Sequence, residues 1–139
     1  MLKQLDNVDI ICRDLDVLVP FYRDVLALPE AHPYRKEQGW AGFKAGSVTL
    51  YLIATTPGNS GNSGNSGNSA ETARAAAPIG ELPGLESLAF EVDDLDEAVG
   101  WLSGRGVEWA TEVIESPWYR YRGFRDPEGN LLYVTRPAR

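Results

Sequence analysis

The fold is decided by a stretch that occurs twice, as NVDIICRDLD (Asn7–Asp16) and as SLAFEVDDLD (Ser87–Asp96). The two copies align without a gap, so that Ser87 corresponds to Asn7 and Asp94 corresponds to Asp14. Both copies begin with alternating apolar residues, the pattern of a β-strand that buries one face. Both continue with an aspartate, Asp14 or Asp94, of the kind that caps the start of a helix. The chain is therefore predicted to contain two similar units.

Helical spacing follows each copy. Apolar side chains recur three and four positions apart over residues 15–26 in the first half and 95–102 in the second half. Gly104 and Gly106 are expected to end the second helix, because glycine tolerates the left-handed conformation at a helix terminus. Each half is thus predicted to contain one helix directly after its first strand.

Further strands complete each half. GWAGFKA (39–45) and SVTLYLIAT (47–55) predict two strands joined at Gly46. In the second half, VEWATEVIE (107–115) predicts one strand, and YRYRGFRDPEGNLLYVTR (119–136) predicts a hairpin closed by its Asp-Pro-Glu-Gly turn. The predicted unit is βαβββ, used twice.

Alternation within the strands separates an apolar face from a mixed face. The apolar set is expected to face the helices and consists of Val8, Ile10, Cys12, Leu50, Leu52, Ala54, Leu88, Phe90, Val92, Leu132 and Val134. The opposite set combines polar, charged and aromatic side chains. We interpret the chain as an α+β protein in which two βαβββ modules form a curved mixed sheet around a cleft that holds the ligand.

A change of composition separates the two halves. Residues 58–69 repeat Gly, Asn and Ser, which is typical of a flexible linker. We predict a single domain over residues 1–139, with module one at 1–56, a linker at 57–84 and module two at 85–139.

Composition and charge exclude several classes of function. The formal net charge of −7 argues against a nucleic-acid partner, which needs a basic face, but it would suit a cationic ligand. No apolar run reaches the ~18 residues of a membrane span, and MLKQLDNVDI lacks the layout of a signal peptide, so we expect a cytoplasmic protein. The single cysteine and the single histidine, His32, exclude an internal disulfide and a histidine-rich metal site. His32 is predicted to lie in a surface loop without a functional role.

Three stretches, in this order, resemble the vicinal oxygen chelate superfamily: FYRDVLALP (Phe21–Pro29), LAFEVDDLDEAV (Leu88–Val99) and FRDPEGNLLYV (Phe124–Val134). This superfamily includes glyoxalase I, bleomycin-resistance proteins, extradiol dioxygenases and fosfomycin-resistance enzymes. The resemblance covers both halves and omits only the linker. It implies the glyoxalase/bleomycin-resistance fold, commonly assembled as a homodimer.

The resemblance also implies four inner-face positions that hold metal ligands in the metal-dependent members, usually a histidine early and a glutamate late in each half. In this chain these positions hold Asn7, Tyr51, Ser87 and Tyr133. An amide, a hydroxyl and two protonated phenols supply no negative charge at neutral pH, whereas a catalytic divalent metal needs charged or imidazole ligands. We therefore expect neither a metal nor another cofactor. Asp9 and Glu91 also point inward, but they are displaced from the ligand positions.

Members without the metal residues resemble drug-sequestering proteins of the bleomycin-resistance type. The leading hypothesis is a metal-independent, homodimeric protein that binds a small aromatic or cationic natural product, as in antibiotic resistance, and catalyses nothing. Aromatic rings attract planar and cationic ligands by roughly 0.5–2 kcal/mol each. The predicted ligand-binding residues are Asn7, Asp9, Trp40, Tyr51, Ser87, Glu91, Trp109, Trp118 and Tyr133.

Two other functions stay open. The first is a metal-free isomerase, cyclase or epimerase of a small-molecule metabolite, in which Asp9 or Glu91 is the general base and Tyr51 or Tyr133 donates a proton. The second is an interaction module whose inner face is filled by its own aromatic side chains.

The tryptophans also have alternative explanations. Trp40, Trp109 and Trp118 are each as compatible with a core or dimer-interface position as with ligand contact. Trp101 is expected to pack under its helix, because it aligns with Phe21 of the first half.

Overall fold

The computed structural model describes residues 1, 3–55 and 87–137, so the predicted linker at 57–84 lies outside the described residues. The chain divides into two compact units, Met1–Gly67 and Asn68–Arg139. Each unit combines one mixed sheet with helix, which confirms the α+β class. The organisation as a single domain stays a prediction. No helix in the described part of the chain has the length and apolar character to cross a membrane.

The first unit follows the predicted βαβββ order. Its elements are β1 (Asn7–Cys12), α1 (Leu15–Pro20), a π-helical turn (Phe21–Val25), β2 (Glu30–His32), a 3₁₀ turn (Lys36–Gln38), β3 (Trp40–Ala45) and β4 (Val48–Ala54). The strands lie in the order β1-β4-β3-β2, with β1 parallel to β4 and the other pairs antiparallel. Strand β2 was not predicted, because so short a strand shows no alternation to recognise.

The second unit repeats this plan with an additional break. Its elements are β5 (Ser87–Glu91), α2 (Leu95–Gly104), β6 (Glu108–Trp109), β7 (Ile114–Glu115), β8 (Tyr119–Arg125) and β9 (Leu131–Pro137). The order is β5-β9-β8-β6, with β7 also paired to β8 and β5 parallel to β9.

The single strand predicted over residues 107–115 is wrong. The backbone N–H groups of Ala110 and Thr111 both donate to the carbonyl of Gly123, at 2.8 and 3.2 Å. Two residues therefore oppose one, as in a β-bulge, and the bulge separates β6 from β7.

The predicted helix starts are confirmed. The Asp14 carboxylate accepts a hydrogen bond from the backbone N–H of Asp16, and the Asp94 carboxylate accepts one from that of Glu97, both at 3.0 Å. Each bond satisfies an N–H group that lacks a partner within the helix. The second helix ends at Gly104, followed by Gly106 at φ 82°, as predicted.

The first helix changes character after Pro20. Proline has no N–H group to continue the α-helical hydrogen bonds, and the chain continues as a π-helical turn in which the Leu26 N–H donates to the Phe21 carbonyl at 2.9 Å. The segment ends at Ala27, an alanine in the left-handed region at φ 56°. The helical pattern over 15–26 is therefore correct, but its hydrogen bonding is not α-helical throughout.

The expected apolar face is buried at Leu50, Leu52, Leu132 and Val134, although Leu131 of the opposite set is buried as well. In the first unit α1 packs on β3 and β4, and in the second α2 packs on β8 and β9. The buried apolar residues of the first unit are Cys12, Leu15, Leu18, Val19, Phe21, Tyr22, Ala41, Phe43, Leu50 and Leu52. Those of the second unit are Leu95, Leu102, Val107, Phe124, Leu131, Leu132 and Val134.

Trp101 does not pack in the core, so that prediction is wrong. Its side chain is 44% exposed, and the Arg105 guanidinium carbon lies 4.1 Å from the centre of its ring. The adjacent Leu102 is buried, and neighbouring helical positions point about 100° apart. Leu102 aligns with Tyr22, which is fully buried in the first unit, so the second helix buries the position of Tyr22 but not that of Phe21.

The β8–β9 hairpin closes through the predicted turn. Asp126 is only 4% exposed, and one oxygen of its carboxylate accepts from the N–H groups of Glu128 and Asn130, both at 2.9 Å. The other oxygen accepts from the side-chain amide of Asn130 at 2.8 Å. Gly129 supplies the positive φ, 88°, that the turn requires. A buried carboxylate therefore organises the hairpin.

Candidate functional site

The face of the first sheet that points away from α1, here called the front face, carries a row of paired residues that crosses all four strands. The strand register places Asp9, Tyr51, Gly42 and His32 side by side on β1, β4, β3 and β2. Successive residues of a strand point to opposite faces. Because the leucines on both sides of Tyr51 are buried in the core, Tyr51 and its row belong to the front face.

The rings of Tyr51 and His32 approach the sheet where Gly42 has no side chain. A β-carbon on Gly42 would lie 2.9 Å from Cε1 of Tyr51 and 3.4 Å from Cδ2 of His32. The first distance is too short for a real contact. A larger residue here would therefore displace the tyrosine ring.

Three rings form what we call the first aromatic cluster: His32, Trp40 and Tyr51. The ring centre of Trp40 lies 5.4 Å from that of His32 and 6.0 Å from that of Tyr51, with interplanar angles of 81° and 70°. His32 and Tyr51 are nearly parallel, at 15° and 6.3 Å. The prediction that His32 lies in a loop is wrong, because it is in β2 and contacts both other rings.

A carboxylate stands beside this cluster. Asp9 is paired with Tyr51 in the parallel register of β1 and β4, and both Asp9 and Asn7 are exposed. The side-chain amide of Asn7 donates a hydrogen bond to Asp9 at 3.0 Å. The first unit thus places an oriented negative charge next to an aromatic surface.

The second unit repeats the glycine–tyrosine arrangement on its own front face, opposite α2. Gly123 is paired with Tyr133, and a β-carbon on Gly123 would lie 2.7 Å from Cε1 of Tyr133. The ring of Tyr121 meets Tyr133 edge-on, with centres 5.5 Å apart at 80°. We call Tyr121 and Tyr133 the second aromatic cluster.

The two clusters correspond along the sequence. Gly123 matches Gly42, and Tyr121 matches Trp40 at the same spacing. In both units an aromatic residue stands two positions before the glycine, so it points to the same face. This aromatic-x-Gly spacing is visible in the sequence and is the signal that would have added Tyr121 to the predicted ligand-binding residues.

The charge beside the second cluster is placed differently. Ala89 is paired with Tyr133, at the place that corresponds to Asp9. Glu91 is the next front-face residue of β5 and is paired with Thr135, which in turn is paired with Tyr121. The remaining predicted residue of this strand, Ser87, is paired with Leu131. The second front face therefore also contains a carboxylate. It lies in the same row of paired residues as Tyr121, whereas Tyr133 lies in the neighbouring row.

Trp109 lies on the helix-bearing side of its sheet. Its ring centre is 5.7 Å from that of the buried Phe124, and its indole N–H donates to the hydroxyl of Ser103 in α2 at 3.0 Å. The guanidinium carbon of Arg122 lies 4.3 Å from the ring centre. The structure therefore places Trp109 with the packing residues rather than with the front-face residues. Trp118, in contrast, is 70% exposed directly before β8.

The four positions that the family resemblance assigns to metal ligands do not fit a divalent metal. The Asn7 amide acts as a donor to Asp9, and the rings of Tyr51 and Tyr133 lie against glycines. Together with Ser87 they supply no carboxylate, thiolate or imidazole. Within residues 1, 3–55 and 87–137, no group of three or more His, Cys, Asp or Glu side chains could hold a metal ion.

The resolved pKa shifts in the described residues occur in the π-helical turn and in the segment before β3. The hydrogen bond from Arg23 lowers the pKa of Asp24 and raises that of Arg23. Burial raises the pKa of Tyr34, and the hydrogen bond with Asp16 raises the pKa of Lys36. None of these groups belongs to an aromatic cluster.

Comparison with solved structures shows the same fold in proteins of low sequence identity. TnmS3, an antibiotic binding protein from Streptomyces sp. CB03234, is 21% identical with a TM-score of 0.68, and the match covers 99% of this chain and 98% of TnmS3. UcmS2 is 19% identical with a TM-score of 0.76, covering 97% and 98% of the two chains. A lactoylglutathione lyase from Agrobacterium tumefaciens is 20% identical with a TM-score of 0.66, covering 98% and 95%.

Among curated proteins, none matches the sequence. The family model of the Glyoxalase/Bleomycin resistance protein/Dioxygenase superfamily matches residues 4–134, across both βαβββ units. This match confirms the resemblance found in the three sequence stretches. The chain belongs to the Glyoxalase/Bleomycin resistance protein/Dioxygenase superfamily.

Proposed function

We propose that this protein sequesters a small aromatic or cationic natural product without a metal and without altering its ligand. The observation that carries the proposal is the repeated arrangement of a tyrosine held against a glycine with a second aromatic ring beside it. A ring held against the backbone loses little conformational freedom on binding, and aromatic surfaces stack on planar ligands.

The charges near the clusters support a cationic ligand. Asp9 is adjacent to Tyr51, and Glu91 lies on the same face as Tyr121 and Tyr133. An acidic protein with a net charge of −7 also attracts cations at long range. That TnmS3 is an antibiotic binding protein is consistent with this proposal, which extends to a resistance-like role, a homodimer and a cytoplasmic location.

Binding in the first unit is assigned to Asn7, Asp9, Trp40 and Tyr51. In the second unit it is assigned to Ser87, Glu91, Trp118 and Tyr133. Trp109 is assigned to packing instead, because its indole N–H and its ring face are engaged by α2 and Arg122.

A metal-free enzyme is the second candidate function, favoured by the pairing of Asp9 with Tyr51. A carboxylate oriented by Asn7 beside a phenol is a possible base and acid pair. Glu91 and Tyr133 on the second front face are the corresponding candidates. An isomerase, cyclase or epimerase would use such a pair without a cofactor.

Native mass spectrometry of the protein with a panel of cationic and aromatic natural products, including bleomycin-type compounds, tests both candidates. Sequestration predicts a dimer that carries unmodified ligand. The ligand must then be released and analysed by chromatography, since an isomerisation does not change its mass. A new chromatographic peak would replace the binding proposal with the enzymatic one.

Matched tryptophan variants test the location of binding. Trp40→Ala removes a ring of the first cluster. Trp101→Ala is the control, because Trp101 is an exposed residue of α2 that contacts Arg105 and belongs to neither cluster. Loss of one stacking or cation–π contact of roughly 0.5–2 kcal/mol should weaken binding about 2- to 30-fold in Trp40→Ala. Trp101→Ala should bind as the wild type does. Equal losses in both variants would contradict the proposed surface.

A further inference from the structure

We propose that His32 is a ligand-binding residue of the first aromatic cluster, and that its protonation state makes the cluster discriminate between cationic and neutral ligands. This inference rests on the proposed function, because it concerns the same surface. It assigns a role to a residue for which the sequence predicted none.

The geometry brings His32 to the cluster from the outer strand of the sheet. Its ring lies edge-to-face with Trp40 and nearly parallel to Tyr51, with centres 5.4 and 6.3 Å away. His32 is exposed, whereas Trp40 and Tyr51 are half-buried. A ligand that stacks on this cluster from solvent therefore meets the imidazole as well as the two larger rings.

The space that holds this ring in place is created by Gly42. His32 and Gly42 are paired in the register of β2 and β3, and Cδ2 of the imidazole reaches within 3.4 Å of the position of a glycine β-carbon. The ring is thus positioned by backbone pairing and by two ring contacts. Its place in the cluster is a consequence of the fold.

The charged groups around His32 are few in the described part of the first unit. Lys44 is the next front-face residue of β3, and Glu30 precedes His32 on β2, where its carboxylate accepts from the Tyr34 N–H at 3.2 Å. Tyr51 faces it from β4, and Asp9 stands at the opposite end of the row. Histidine is the side chain whose charge normally changes between about pH 5 and 8.

Neutral imidazole extends the aromatic surface on which a cation can sit. Protonated imidazole adds a positive charge about 6 Å from that cation, which lowers affinity by a factor between about 3, the value for bulk water, and about 100, the value for an effective dielectric constant of about 20. A neutral planar ligand experiences no such repulsion. Lowering the pH should therefore weaken binding of cationic ligands selectively.

The experiment uses two pyrene probes that differ in charge. The (1-pyrenylmethyl)trimethylammonium ion is cationic at every pH, and 1-pyrenemethanol is neutral. We expect the full-length protein to bind the cationic probe roughly five- to tenfold more weakly at about pH 5.5 than at about pH 8. Affinity for the neutral probe should change less than about twofold, and His32→Phe should abolish the pH dependence for the cationic probe while keeping a ring at this position.

The outcomes separate this inference from the proposed function. If neither probe binds at any pH, the proposed aromatic binding surface fails. If both probes bind and His32→Phe keeps the wild-type pH dependence, the role of His32 is refuted while the binding proposal stands. Circular dichroism of the variant establishes that it is folded.

A second measurement needs no variant. The sequence contains one histidine, so its imidazole proton resonances require no further assignment. Stacking of pyrene on the cluster should shift the Cε1 proton of His32 upfield through the ring current of the probe. An unchanged resonance at saturating probe would overturn the assignment of His32 to the binding surface.

Discussion

Substitution of Gly123 by alanine tests the arrangement on which the functional proposal depends. The new methyl carbon would lie 2.7 Å from Cε1 and 3.1 Å from Cδ1 of Tyr133. The backbone of Gly123 cannot easily retreat, because its N–H donates to the Thr111 hydroxyl at 2.9 Å and its carbonyl accepts from Ala110 at 2.8 Å. The tyrosine ring must therefore move.

The magnitude follows from two opposing effects. To bring 2.7 Å to an ordinary contact of 3.4 Å, the ring must shift by several tenths of an ångström, which disturbs its contact with Tyr121. Overpacking of this kind destabilises by about 1–2 kcal/mol, since a rotatable side chain can yield. Replacing a strand glycine by alanine stabilises by roughly 0.5–1 kcal/mol through the unfolded state. We expect Gly123→Ala to be destabilising by about 0.5–1 kcal/mol.

A double-mutant cycle separates the two effects. Without the ring, in a Tyr133→Ala background, the same glycine substitution should become stabilising by roughly 0.5–1 kcal/mol. The coupling energy between the two positions is then about 1–2 kcal/mol. Urea unfolding of the four proteins, followed by fluorescence, measures it.

The refuting result is a coupling energy near zero. In that case the tyrosine ring does not lie against Gly123, and the reasoning from paired glycines and tyrosines loses its basis in both units. The equivalent cycle at Gly42 and Tyr51, where the β-carbon would lie 2.9 Å from the ring, must agree in sign.

Three further substitutions test the fold. Asp126→Ala should reduce the free energy of unfolding by about 2–4 kcal/mol, because it removes a buried carboxylate that accepts three hydrogen bonds from half-buried donors of the turn. Asp126→Asn should lose less. A loss under about 1 kcal/mol for the alanine variant would contradict this role. Gly100 lies in the middle of α2, and no atom lies within 4 Å of the methyl group that alanine would add. Gly100→Ala should therefore raise the free energy of unfolding by roughly 0.5–1 kcal/mol. Destabilisation would argue against a free helix surface at this position. Ala27→Gly should raise the urea midpoint by an amount that corresponds to roughly 0.5–1 kcal/mol, because alanine at φ 56° is strained. A lowered midpoint would show that the left-handed conformation is not populated.

The sequence was sufficient for the parts of the fold that rest on repetition. The constant offset between the two copies placed both first strands and both helix caps, because an alternating strand followed by a capping aspartate is a local pattern. The parity of Leu50 and Leu132 identified the buried face for the same reason. The cleft expected between the two modules and the homodimer stay predictions.

Features that depend on contacts between distant strands could not be read in the same way. His32 lies in a strand too short to alternate, and it reaches the cluster only because β2 pairs with β3. Trp101 aligned with the buried Phe21, but the first unit buries both Phe21 and Tyr22, whereas α2 buries only Leu102 of the corresponding pair. The division of 107–115 into two strands depends on a bulge at Gly123, which is a long-range hydrogen-bond pattern.

The parallel pairing of first and last strands has a consequence for synthesis on the ribosome. In the described part of the first unit, β1 pairs with β4, the last strand of that unit along the sequence. Asn7 of the first strand is therefore opposite Thr49 of the last. The first strand therefore has no strand partner until the last one has emerged from the exit tunnel, so the sheet cannot grow strand by strand from its beginning. In the second unit β5 waits in the same way for β9, with Ser87 opposite Leu131. A nascent chain arrested before Val48 should therefore remain protease-sensitive. Resistance to protease should appear abruptly once β4 has left the exit tunnel.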